Sequence, residues 1–242
     1  MTDGSGARVA LVTGGGSGIG AATVSLLRDR GVHVAVMDLA LDALAAGPEV
    51  LACPGDVTVR DEVDATVAAV VEHFGRLDIL VCAAGIPGQT RSPLDATDDE
   101  WERVMGVNAG GTFYACRAAA RVMVAHGYGR IVNVASIAGQ RGHPSLLAYA
   151  ASKAAVIAMT QSFGVALGGT GVLVNCVTPG VIRTPLLGDL DPASVAAMVS
   201  RMPLGRMGEP VEIARLIAFL ASDDLTFTTG ACFDASAGRT LS

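Results

Sequence analysis

The stretch Thr13-Gly14-Gly15-Gly16-Ser17-Gly18-Ile19-Gly20 separates two different periodicities. Before it, residues 7–13 make a short apolar run; after it, Ala21, Val24, Leu27 and Arg28 recur at helical spacing as far as Gly31. That order reads as strand, glycine loop, helix. A second apolar run over residues 32–37 finishes on Asp38, so the next strand ends in an acid. Glycines in such a loop permit a tight turn and let N–H groups at a helix start receive a pyrophosphate. An acid closing the second strand suits a ribose hydroxyl. The spacing is Gly-x-x-x-Gly-x-Gly from Gly14 to Gly20, which differs from the G-x-G-x-x-G form.

Working outward, the alternation continues along the whole chain. Strands are expected at 50–53, 77–82, 131–135, 172–177 and 231–234, and helices at 60–74, 147–167 and 210–221. A further long helix starts at Asp98-Asp99-Glu100, where acids suit the positive helix end. The strands are almost continuously apolar, which calls for a parallel sheet buried on both faces. The expected fold is therefore α/β: one Rossmann-type, doubly wound domain over residues 1–242, with helices on both faces of the sheet.

Composition narrows the partners. The chain has 242 residues, 51% hydrophobic and 17% charged, with aromatics at 4%, so small aliphatic residues must fill the core. A net charge of −6 argues against nucleic acid and anionic membranes as partners. No charge falls between Lys153 and Arg183, but Thr160-Gln161-Ser162, the glycines at 168–171 and Asn175 divide that run into a helix and a strand. A membrane span is not expected, and the N-terminus lacks a secretory pattern, so the expected location is the cytoplasm. The five cysteines are scattered without ligand spacing, so no metal site is expected.

One pair suggests chemistry. Tyr149 and Lys153 sit at i and i+4 of an expected helix, on one face. A phenol titrates near pH 10, so using its anion near pH 7 requires about 4 kcal/mol of selective stabilisation. A nearby ammonium has the right sign of field, and a bound cationic ring would add to it. By itself the pair also fits a solvated helix face. The polar residues at strand C-terminal ends decide otherwise: Asp38, Asp56, Gly85, Ser136 and Pro179-Gly180 converge in the crevice where doubly wound sheets bind ligands.

Together the loop 13–20, Asp56-Val57, Ala83-Ala84-Gly85, Asn108, Ser136, the Tyr149/Lys153 pair and Pro179-Gly180 with Thr184 resemble the short-chain dehydrogenase/reductase family, over nearly the whole chain. The resemblance implies that Tyr149 is the catalytic acid/base and that Ser136 positions the substrate oxygen. It implies that Lys153 lowers the tyrosine pKa and binds the nicotinamide ribose, and that Asn108 holds a water of a proton relay. Taken singly, Ser136 also fits a strand-end turn, and Asn108 a mid-helix amide or kink. Cofactor contacts are implied at Gly14, Ser17, Gly18, Ile19, Gly20, Asp38, Leu39, Asp56, Val57, Ala84, Gly85, Tyr149, Lys153, Pro179, Gly180, Ile182 and Thr184. Asp38 favours NAD over NADP, since its carboxylate would repel a 2′-phosphate and neither Ser17 nor Leu39 is basic; the plainer role of Asp38 is a helix cap.

Two departures from the family pattern stand out. Cys82-Ala83 replaces a pair of asparagines able to brace neighbouring strands, and Asp234-Ala235-Ser236-Ala237-Gly238 replaces an Asp-Gly-Gly. Substrate choice is expected from 137–147 and from a largely apolar loop over 184–207, with Ser136, His143, Leu146, Tyr149 and Leu186 as candidate contacts. His143 also fits an exposed loop position. With no basic cluster visible in the sequence, the expected substrate is a small, neutral secondary alcohol or diol and its ketone. Reduction of a 3-oxoacyl thioester is the competing enzymatic reading, and an NAD-binding scaffold or redox sensor the non-enzymatic one. The uncharged helix segment 154–167 implies an outer face covered by another subunit; the family resemblance, in which such helices pair into dimers and tetramers, implies a homotetramer.

Overall fold

The computed structural model describes residues 6–41, 44, 47–188 and 191–239. Seven strands, β1 (Val9–Thr13), β2 (His33–Asp38), β3 (Val50–Pro54), β4 (Ile79–Cys82), β5 (Gly129–Val134), β6 (Val172–Pro179) and β7 (Cys232–Ala235), form one sheet. Every pairing is parallel and the order is β3-β2-β1-β4-β5-β6-β7. The order reverses between β1 and β4, so the crevice opens where the chain switches direction of travel across the sheet.

Alternation of side chains along each strand builds two cores. Val9 and Leu11 face α2 (Arg60–Phe74) and α4 (Thr112–His126), meeting Val63, Val67, Val70, Ala119 and Met123. Ala10 and Val12 face the other way, toward Val24 and Leu27 of α1 (Gly18–Asp29) and Ile213 and Ile217 of α8 (Pro210–Leu220). Each such buried Val or Leu contributes about 1.5–3 kcal/mol. Among the described residues no helix is long and apolar enough to cross a membrane.

The expected long helix after Asp98 is instead a composite. Thr97 caps α3 (Asp98–Met105) by accepting from Glu100 N at 3.3 Å, and α4 begins only at Thr112. Between them residues 106–111 make a π-helical turn. Gly111 is required there, since a Cβ on it would stand 2.7 Å from Val57 Cγ2. The widening turns Asn108 fully inward. The expected loop 184–207 likewise contains a helix, α7 (Pro192–Val199), capped by Asp191. Positions 189 and 190 of that loop lie outside the described residues, as do 1–5 and 240–242 of the expected domain. The segment after Ser136 holds another short helix, α5 (Ile137–Arg141).

The two departures are accommodated locally. Cys82 is buried with its thiol against Cys116; Cys116 Sγ donates to Asn133 Oδ1 at 3.3 Å, and Asn133 Nδ2 to Thr160 Oγ1 at 3.0 Å. This polar chain braces β4, β5 and the helix behind them where two amides are missing. Near the C-terminus the replacement costs more, because Ala237 is held at φ 59°, in the left-handed region that suits glycine.

Candidate active site

The site forms where the C-terminal ends of β1, β2, β4, β5 and β6 open into a cavity of about 1250 Å³. Every residue expected from the sequence to bind cofactor or substrate lines this cavity, from Gly14 and Asp38 through Asp56, Gly85 and Ser136 to Thr184 and Leu186. Of the expected site residues, Asn108 alone lies behind the wall.

The glycine loop is shaped by contacts that exclude side chains. Gly14 has φ 69°, and a Cβ there would fall 2.4 Å from Ala84 N. Its N–H donates to Met37 O at 2.8 Å, tying the loop to β2. Ser17 occupies the N-cap of α1 without capping it, so the first-turn N–H groups face the cavity for an anion to receive. Across the opening, Thr184 Cγ2 would stand 3.2 Å from a Cβ on Gly18. A bare backbone cradle at a helix start, an acid on the next strand and room for a dinucleotide fit NAD. Asp38 Oδ2 accepts from Gly16 N at 2.8 Å, so the acid both closes the loop and presents its negative charge at the ribose end. Beside it Leu39, 76% exposed, offers no cation for a phosphate. Asp56 Oδ1 accepts from Thr58 N at 2.8 Å, a turn that presents Val57 to the cavity.

At the catalytic end, Ser136 caps α5, its Oγ accepting from Ala138 N at 3.2 Å. Tyr149 and Lys153 project from α6 (Leu147–Ala166), with the ammonium 5.9 Å from the ring centroid. Lys153 is buried, its Nζ donates to Val134 O at 2.8 Å, and burial pulls its pKa down to about 8. Burial pushes the Tyr149 phenol up, and the Ser136 hydroxyl opposes that rise. In the chain alone, desolvation of the phenol outweighs the Ser136 hydrogen bond.

Asn108 is a brace. Its Oδ1 accepts from Ile86 N at 2.8 Å, and its Nδ2 donates to Ile86 O at 3.0 Å and to Ser152 Oγ at 2.9 Å. Three of the side chain's four bonding positions are spent on protein, Oδ1 keeps a second lone pair, and the backbone carbonyl accepts from Thr112 Oγ1 at 2.7 Å. Ser152, which sequence reasoning passed over, is fully buried and joins this brace to the catalytic helix. A small hydroxyl residue between Tyr149 and Lys153 was the available signal. Arg201 and Arg239 were also missed; both line the cavity, and neither lies near a recognisable motif.

Comparison with known proteins fixes the relationship. The family described as enoyl-(acyl carrier protein) reductase matches residues 14–240. A 2-dehydro-3-deoxy-L-rhamnonate dehydrogenase (NAD(+)) of Sphingomonas sp. (strain SKA58) is 41% identical, over 96% of this chain and 95% of its own. The chain belongs to the short-chain dehydrogenase/reductase family. A cis-4-hydroxycyclohexanecarboxylate dehydrogenase of Sinomonas cyclohexanicum is 43% identical, with 96% of each chain covered. Among solved structures, a 3-ketoacyl-(acyl-carrier-protein) reductase from Brucella melitensis complexed with NADH superposes with TM-score 0.91 at 30% identity, covering 97% of this chain and 99% of that one. As a short-chain dehydrogenase/reductase, this protein is an NAD-dependent oxidoreductase.

Proposed function

We propose that the protein interconverts a small secondary alcohol or diol and its ketone, with Tyr149 as the acid/base. The observation that carries this reading is the meeting of Ser136 and Tyr149 in the same cavity as the glycine loop. The reacting end of the substrate is neutral and sits among Ile137, Leu146 and Leu186, which exclude water from the carbinol. Bound NAD supplies the hydride acceptor and, when oxidised, a positive charge near the phenol. Ser136 Oγ donates to the substrate oxygen, and Tyr149 Oη gives that oxygen a proton in reduction or takes it in oxidation. Lys153 holds the cofactor ribose and keeps a cation behind the ring. The raised phenol pKa of the chain alone keeps Tyr149 protonated, which suits the reductive step; the oxidative step draws on the added positive charge.

A second reading, reduction of a 3-oxoacyl thioester, is supported by the likeness to the Brucella melitensis reductase. Assay of alcohols, ketones and a 3-oxoacyl thioester with NAD(H) and NADP(H), followed at the nicotinamide absorbance, separates the two. Turnover of the thioester alone would overturn the alcohol reading. The enzyme works in the cytoplasm as a homotetramer. Its five cysteines remain free thiols, as a reducing compartment allows, and α6 turns an uncharged face outward that includes Val165, 83% exposed. A monomer in size measurement at micromolar concentration would overturn the assembly.

A further inference from the structure

Positive charge scattered in the sequence is gathered at the substrate end of the cavity. Arg141 stands on the last turn of α5, Arg201 just beyond α7 and Arg239 beyond β7, and all three line the cavity that holds Ser136 and Tyr149. The carboxylates among the described lining residues are Asp38 and Asp56, and both belong to the opposite, glycine-loop end. The basic side chains share one field: burial, then Arg201 and Arg141, hold the Arg239 guanidinium below its ordinary range. Burial, then Arg239 and Arg201, likewise hold His143 below the usual imidazole range. Arg141 donates to the backbone carbonyl of Arg239, which fixes the two side by side with a neutral acceptor between them. Arg201 is exposed and makes no ion pair among the described residues. Apolar side chains, Leu146, Met198 and Met202, line the same cavity.

A cavity lined by a proton donor, apolar side chains and guanidinium groups selects a molecule that carries both a carbinol and an anionic group. Building on the alcohol dehydrogenase reading of this site, we propose that the substrate is a hydroxy acid whose carboxylate is received by Arg201. The carbinol C–H leaves as hydride to NAD, its O–H proton passes to the Tyr149 phenolate that the oxidised cofactor's charge favours, and the product is the keto acid with the carboxylate unchanged. The neutral, apolar environment expected from the sequence describes the reacting end, and the arginines read the far end. Guanidinium matches carboxylate as a planar fork, which makes Arg201 a specificity residue rather than a general source of charge.

The test uses the intact enzyme with NAD and the positional isomers of hydroxycyclohexanecarboxylate, each against its own methyl ester, with cyclohexanol alongside. At least one acid is expected to exceed its ester in kcat/KM by about tenfold or more, the scale of a charge-assisted hydrogen bond. That preference resides in KM and shrinks as salt rises. Arg201→Gln should bring the acid-to-ester ratio toward one, and Arg201→Lys, which keeps the charge but loses the fork, should keep only part of it. Oxidation of cyclohexanol and the esters with no acid preferred would overturn the proposal alone, as would an Arg201→Gln enzyme with its ratio intact. No turnover of any of these alcohols would overturn the dehydrogenase reading, and the proposal with it.

Discussion

Asn108 Nδ2 donates to Ser152 Oγ at 2.9 Å, and Ser152 Oγ donates in turn to the Tyr149 carbonyl at 2.8 Å. The π-helical turn thereby holds the catalytic helix at the turn between Tyr149 and Lys153. Removing Asn108 leaves Ile86 and Ser152 without their partners in a buried setting. Asn108→Ala should cost about 1–3 kcal/mol in urea unfolding and lower kcat through a misplaced phenol. Ser152→Ala should reproduce the kcat defect with a smaller loss of stability. Full activity in both variants would show that the brace does not position the site.

Tyr149→Phe removes the proton partner while the ring still fills its place. Turnover should fall by about 10²–10⁴-fold, with NADH binding retained in fluorescence titration. Near-full turnover would refute the assignment of Tyr149 as acid/base.

Asp38 has two jobs, loop closure through Gly16 N and rejection of a 2′-phosphate. Asp38→Asn keeps an acceptor for Gly16 and removes the charge, so it should relax the preference for NADH over NADPH by about tenfold or more. Asp38→Ser should relax it too while loosening the loop. Discrimination unchanged in both would mean that the acid does not set cofactor choice.

Lys153 titrates at 10.5 in the unfolded chain and at about 8 in the fold. Between those values the unfolded chain binds more protons, so its contribution makes the cofactor-free protein more stable as pH rises. Above 10 Tyr149, whose folded pKa is raised, works in the opposite sense, leaving pH 8 to 10 as the window. Thermal unfolding should show a stability gain across that window that Lys153→Met lacks. An identical pH profile for the variant would mean that the ammonium is not desolvated.

Ala237 adopts φ 59°, in the left-handed region that suits glycine. Ala237→Gly relieves a Cβ held in the left-handed region and should stabilise the fold by about 1 kcal/mol in denaturant unfolding. A loss of stability instead would mean that the alanine methyl packs usefully.

The sequence by itself determined the sheet, because near-continuous apolar strands alternating with helical patterns leave a parallel, doubly covered sheet as the way to bury both strand faces. It also determined the pocket's membership: glycine loop, strand-end acids and the Tyr149/Lys153 helix turn all line one cavity. These signals are local, carried by spacing along the chain. What the tertiary structure decided depends on distance in space between residues far apart in the chain. The π-helical turn at 106–111 sets Gly111 against Val57 and places Asn108 as a brace on Ser152. The balance at Tyr149 is set by burial, which no pattern of residues along a helix reveals. Arg141, Arg201 and Arg239 become one positive field only because α5, the end of α7 and the chain beyond β7 close over the same cavity, and charge adds through space regardless of sequence separation.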